Sequence, residues 1–175
     1  SYLIAAVLNT QYNVMATEGN FNNDVGVPKT LFRLTDEHDI AVVEMGASHP
    51  GDIKTLVETA EPTCGLITNV GRAHLLGFGS FEGVCRTKGE LYNFLCSRDL
   101  PVFVNRDNEH LMKMIEEGGG LRHLLLWSER CGGHSYPWRS GVMCAFPSFP
   151  LARAGRRRGS HRSVDGGTDE THRRL

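Results

Sequence analysis

No stretch of this 175-residue chain approaches the ~18–20 uninterrupted apolar residues that a membrane-spanning helix needs. The opening SYLIAAVLNTQYNVM has no basic leader and no small-residue cleavage site, so no signal peptide is expected. It also has no initiator Met, and Ser1 is expected to lie inside a longer natural chain. The five cysteines (Cys64, Cys85, Cys96, Cys131, Cys144) are an odd number with no CxxC and no paired spacing. That excludes a disulfide framework or a structural zinc site as the default and points to a reducing, cytoplasmic setting. Aromatic residues make up only 8% and lysine is absent after Lys113. What remains, 40% hydrophobic and 22% charged, suits one water-soluble globular domain.

A net charge of -1 conceals an asymmetry. Residues 1–120 hold nine Lys+Arg against sixteen Asp+Glu, whereas residues 121–175 hold ten Arg, no Lys and four Asp+Glu. The change in usage places the main boundary near residue 120, dividing a partial domain (1–120) from an irregular, Arg-rich tail (121–175).

The first part alternates helix and strand. Leu3, Ile4, Val7 and Leu8 share a helical face, so residues 1–10 read as the end of a helix. Residues 12–16 read as a short strand, followed by a polar loop through Asn23. Gly26-Val27-Pro28 opens a helix to Leu34, with Pro28 in the first turn, where its missing N–H costs nothing. Short buried strands are expected at 39–45, 65–69 and 102–105. Helices are expected at 50–60, after an N-cap at Ser80 to about Cys96, and after a cap at Asn108 to the glycines at 118–120. Strands alternating with 10–15-residue helices imply βαβ units, an α/β fold with a mostly parallel sheet flanked by helices.

In open α/β sheets ligands bind beyond the carboxyl ends of the strands. Three of the expected strands end there in a polar residue: Glu44, Asn69 and Asn105. One such residue alone is explained by water at the strand end; three together point to a site. A carboxylate at the end of a hydrophobic strand, as Glu44 is, commonly holds a divalent cation beside a phosphate. His74, five residues past Asn69, offers a second metal ligand or a hydrogen bond to a phosphate oxygen. Lys88, judged by spacing alone, is a solvated surface charge on a helix.

Five segments then come in order: Gly19–Pro28 (GNFNNDVGVP), Val43–Gly51 (VEMGASHPG), Thr68–Leu75 (TNVGRAHL), Gly77–Ser80 (GFGS) and Thr87–Leu91 (TKGEL). Together they resemble the central domain of the Mur ligases over residues 1–117, with the Asn-Phe-Asn-Asn loop favouring the members that add D-Ala-D-Ala. The resemblance implies an incomplete P-loop-type domain of a cytoplasmic, ATP-dependent amide ligase of peptidoglycan synthesis. That enzyme joins D-Ala-D-Ala to a UDP-N-acetylmuramoyl-tripeptide through an acyl phosphate. It further implies Mg²⁺ ions on Glu44 and His74, with Lys88 carbamylated into a third metal-binding group. Catalytic roles fall to Lys88 and His74, nucleotide contacts to Asn69, Asn105, Asp107 and Asn108, and muramyl-peptide contacts to Asn20, Asn22 and Asn23. A monomer is expected, without membrane or nucleic-acid partners.

The phosphate-cradling G-x-x-x-x-G-K-[ST] is absent, and Leu76 stands where an acidic residue is expected after His-Leu. The 175 residues alone are therefore expected to be inactive in ligation. After Leu121–Trp127, itself short and apolar enough for a strand, no 3.6 or 2.0 period is found. Two readings of the tail stay open. Translation out of frame after about residue 120 explains arginine without lysine and is the favoured one. A natural basic tail on a non-catalytic module would instead neutralise nucleic-acid phosphates, although aromatic stacking platforms are scarce near its arginines. Another Mur ligase, adding a different amino acid, is the remaining alternative.

Overall fold

A computed structural model describes residues 1–71, 75–117, 124–127 and 142–147. In chain order it contains α1 (Tyr2–Leu8), β1 (Val14–Ala16), α2 (Gly26–Leu31), β2 (Ile40–Met45), α3 (Asp52–Ala60) and β3 (Cys64–Ile67). There follow α4 (Leu75–Phe78), α5 (Phe81–Ser97), β4 (Val102–Asn105), α6 (Glu109–Glu117), β5 (Leu124–Trp127) and β6 (Val142–Pro147). The six strands form one sheet in the order β1-β2-β6-β3-β4-β5. The pairs β1–β2, β3–β4 and β4–β5 are parallel, and β6 is antiparallel to both its neighbours. The expected α/β architecture, a mostly parallel sheet with flanking helices, is present.

The helices pack in a row, α2 against α3, α3 against α5 and α5 against α6, along the sheet. Consecutive residues Ala41, Val42 and Val43 of β2 are all 1% exposed or less, so that strand is covered on both faces. On β4, Val102 and Val104 are buried whereas Phe103 is exposed, which leaves one face of that strand open. Leu91 and Leu95 of α5 join Ile67, Val102 and Leu111 in the same core. Burial of each such side chain contributes about 1.5–3 kcal/mol.

Local signals set most boundaries. The Ser80 hydroxyl accepts from the Gly83 amide at 3.1 Å and caps α5 as expected, and the Asn108 side chain accepts from the His110 and Leu111 amides at 3.1 and 3.2 Å, starting α6. Helix α2 stops at Leu31, short of Leu34, because the Arg33 and Leu34 amides bond to the Thr30 and Leu31 carbonyls three residues back and tighten into turns.

Three details go beyond the sequence reading. The apolar face of α1 is turned outward at Leu3 and Val7, and it is Ala5 that faces the core. The short helix α4 was not expected. In the tail, residues 124–127 form a strand paired with β4, as their short apolar run allows, while residues 142–147, where no strand period was found, pair with β2 and β3. VMCAFP is a short apolar run without alternation, and a period-2 search passes over such a run.

Candidate functional site

The parallel strands present their carboxyl ends along one edge, and the residues nominated by the sequence gather there in two groups. In the first, Glu44 near the end of β2 is half-buried, and its backbone N–H donates to the buried Thr17 hydroxyl at 2.9 Å. Its Oε1 accepts from the Asn22 side-chain amide at 3.1 Å. Its Oε2 accepts from the Ser1 hydroxyl at 3.1 Å and lies 3.7 Å from the Ser1 α-amino nitrogen. The Asn22 carbonyl in turn accepts from the Gly46 amide at 2.7 Å. A Cβ at Gly46 would stand 3.0 Å from the Asn22 side-chain amide, so the bare glycine lets the asparagine lie flat against the strand end.

The other two asparagines of that loop face elsewhere. The Asn23 side chain accepts from the Gly26 amide at 2.8 Å, and its carbonyl accepts from Val27, which fixes the turn into α2. Asn20 is exposed, and its carbonyl accepts from the Asn22 amide.

In the second group Lys88 reaches inward from α5 and donates to the Asn69 carbonyl at 2.7 Å. Spacing alone made it a solvated charge; the fold instead half-buries it. Burial, the main cause, holds its pKa below the usual lysine value, against a smaller upward pull from Cys85. Asn105 is 6% exposed and accepts from the Asp107 amide at 2.9 Å, while its carbonyl accepts from the Asn108 amide. The three residues Asn105, Asp107 and Asn108 thus form the turn between β4 and α6. His74 lies outside the described residues.

Two supports were not visible in sequence. The Asp52 carboxylate accepts from the Ser48 and His49 amides, each at 2.8 Å, and from the Ser48 hydroxyl at 3.3 Å, closing the loop after β2. Partial burial pulls its pKa up, but these hydrogen bonds outweigh it and leave the carboxyl below its ordinary value. Glu90 accepts from the Gly51 and Lys54 amides at 3.0 and 2.7 Å and so caps α3 from α5. Residues i and i+2 of a helix point apart, which is how Lys88 serves Asn69 while Glu90 serves α3. The TKGEL segment holds both, but only the three-dimensional partner tells them apart. Gly77 completes the enclosure, because any Cβ there would overlap the Ser48 carbonyl and push α4 off the loop after β2.

Glu44 supplies a hard anionic oxygen of the kind magnesium prefers. Lys88 as an ammonium cannot ligate a cation, but its depressed pKa increases the neutral amine, the form that adds CO₂ to become a carbamate. Among the described residues no group of three His, Cys, Asp or Glu side chains could hold a metal by itself. A separate cleft of about 560 Å³ between α5 and α6, bordered by Phe81, Cys85, Arg86, His110 and Lys113, includes none of the nominated residues. No helix among the described residues is long and apolar enough to cross a membrane.

Comparison with known proteins bears on this arrangement. The Mur ligase middle domain family matches residues 1–123. The UDP-N-acetylmuramoyl-tripeptide–D-alanyl-D-alanine ligase of Escherichia coli is 45% identical over 106 residues, which are 61% of this chain and 23% of the relative. Its counterpart in Mycobacterium tuberculosis is 47% identical over 89 residues, 51% of this chain and 18% of the relative. Among solved structures, MurF from Acinetobacter baumannii aligns with a TM-score of 0.63 at 32% identity, covering 72% of this chain and 27% of that one. MurF ligase from Thermotoga maritima in complex with ADP aligns at 0.59 with 29% identity, covering 72% and 28%. The chain thus spans about a quarter of the length of the relatives it matches.

Proposed function

The chain belongs to the Mur ligase family through its middle domain, and we propose that this domain is part of an ATP-dependent ligase joining D-Ala-D-Ala to a UDP-N-acetylmuramoyl-tripeptide. In that reaction the tripeptide carboxylate takes the γ-phosphoryl group of ATP and ADP leaves. The dipeptide amine then attacks the acyl carbon, loses a proton, and displaces phosphate to leave an amide. Work of this kind is chiefly positioning and neutralisation of charge.

The observation that carries the reading is the held carboxylate of Glu44. Asn22 fixes one oxygen, the bond from the Glu44 N–H to the Thr17 hydroxyl fixes the strand end, and the second oxygen faces the start of α1. Magnesium, when bound, offsets the phosphate charge; Glu44, His74 and a carbamylated Lys88 are the residues assigned to it. Asn22 keeps the Glu44 carboxylate in one orientation, so no reorganisation is needed when a cation arrives. Partial burial beside the Asn69 carbonyl favours the neutral Lys88 amine, the form that reacts with CO₂. Asn69, Asn105, Asp107 and Asn108 are assigned to the nucleotide side, and Asn20, Asn22 and Asn23 to the muramyl-peptide side.

The test is a chimera in which residues 1–117 replace the matching segment of the E. coli relative. Formation of the amide product, dependent on both ATP and D-Ala-D-Ala, is the expected result. A folded chimera that hydrolyses no ATP when given both substrates would overturn the assignment. Product with a different amino acid in place of D-Ala-D-Ala would move it to another member of the family.

A further inference from the structure

Helix α3 begins at Gly51, whose φ of 90° suits glycine and which has no side chain to cap the helix. The cap comes from another helix. Glu90, half-buried on α5, accepts from the Gly51 amide at 3.0 Å with Oε1 and from the Lys54 amide at 2.7 Å with Oε2. A carboxylate on free amides at a helix start is favoured by charge-assisted bonding and by the helix dipole. Two bonds also do what one cannot: they fix the rotation of α5 as well as its distance from α3. The apolar contacts of Leu91 and Leu95 in the core are non-directional and leave that rotation softer.

Lys88 stands two residues before Glu90, so the same rotation decides where its amine points. Side-chain tips lie ~5–6 Å from a helix axis, and a roll of about 20° carries one roughly 2 Å. That is enough to break the 2.7 Å bond from Lys88 to the Asn69 carbonyl. At its other end the clamp grips the loop that runs from Glu44 to Gly51. That loop is held at Gly46 by the Asn22 carbonyl and at Ser48 and His49 by the Asp52 carboxylate.

We propose that Glu90 is a positioning residue of the candidate site. By clamping α5 to the start of α3, it sets the rotation at which Lys88 meets Asn69 and ties Lys88 to the loop that follows Glu44. Its effect on turnover rests on the ligase activity proposed for the domain; its effect on Lys88 does not.

Brief acetylation of the full chain with acetic anhydride, read by mass spectrometry, measures the placement of Lys88 against the exposed Lys29. In the unaltered chain Lys88 is expected to react on the order of 10-fold more slowly than Lys29, and Glu90→Ala should remove most of that difference. Glu90→Gln keeps the shape and one accepting oxygen and should fall between. Asn108→Ala, which loosens α6 instead, should leave Lys88 slow. Lys88 equally slow in Glu90→Ala, or equally accelerated by Asn108→Ala, overturns the proposal; where Glu90→Ala unfolds, Glu90→Gln decides. In the chimera, Glu90→Ala should lower kcat about 10-fold with KM for ATP and for D-Ala-D-Ala held within about twofold, and Glu90→Gln should recover part of the loss. A rise in KM at unchanged kcat overturns it too. An unaltered chimera without activity removes the ligase assignment alone, and acetylation still decides what holds Lys88.

Discussion

At the end of β2 the Glu44 carboxylate is half-buried and held by side chains from Asn22 and Ser1, distant in sequence, whereas at the end of β4 Asn105 is 6% exposed and bonded to the amide of its own turn. Both are polar residues at the end of a buried strand, and in sequence they look alike. The first has partners that aim it outward and leave oxygen lone pairs available to a cation. The second accepts with its side-chain oxygen from the backbone two residues away, the local bonding at which asparagine excels. A polar strand end is thus a candidate ligand when distant side chains hold it and a structural turn when its own backbone does. The difference can be broken by substitution.

The largest effect is expected at Glu44. In the chimera, Glu44→Gln keeps the shape and the bond from Asn22 but removes the anionic charge, and product formation should fall on the order of 100-fold. Denaturant midpoints should hardly change, because the half-buried carboxylate carries no core packing. A stability loss with activity intact would make Glu44 another structural strand end. Asn105→Ala should do the reverse. It deprives the part-buried Asp107 amide of this acceptor and should cost about 1 kcal/mol in urea unfolding. If stability held while nucleotide affinity fell, Asn105 would join Glu44 as a ligand-facing residue. Asn108→Ala comes next, at about 1 kcal/mol, as the loss of the cap on α6. Its effect should be read as fraying of 109–112 in amide exchange.

These cases show where sequence suffices. Short buried runs and caps are local, so β2, β4, Ser80 and Asn108 were all legible. The pairing of Asn22 with Glu44 spans 22 residues, and Lys88 with Asn69 spans 19; both depend on how loops converge at a sheet edge. The motifs put these residues on one list, and the fold sorted them. Asn22 reached the carboxylate, while Asn23 turned to cap its own loop. Glu90 gave no signal as the cap of α3, since the amides it serves lie on another helix. The strand at 142–147 was illegible for a different reason: its six residues show no alternation, and nothing in VMCAFP names its partners.

Lys88 provides the smallest effect and the finest distinction, because burial opposes its charge. Unfolded, it titrates near the ordinary 10.5; folded, burial lowers that value. Between the two, the unfolded chain holds a proton that the folded chain has released, so stability rises with pH across the interval. Below it the fold bears the full cost of burying a cation, and above 10.5 it bears none. Cys85 and Cys96, whose thiols burial pushes up, act in the opposite sense as pH climbs past their ordinary 9.0, so the raw profile mixes the two. The difference between wild type and Lys88→Met removes the thiols, apart from the modest coupling of Cys85 to Lys88. It should climb toward pH 10.5 and then level off. Adding bicarbonate sharpens the result: a carbamate no longer titrates as an amine, so the climb should flatten as the chain gains the mass of one CO₂. A flat difference without CO₂ would return Lys88 to the solvated surface where its spacing first placed it.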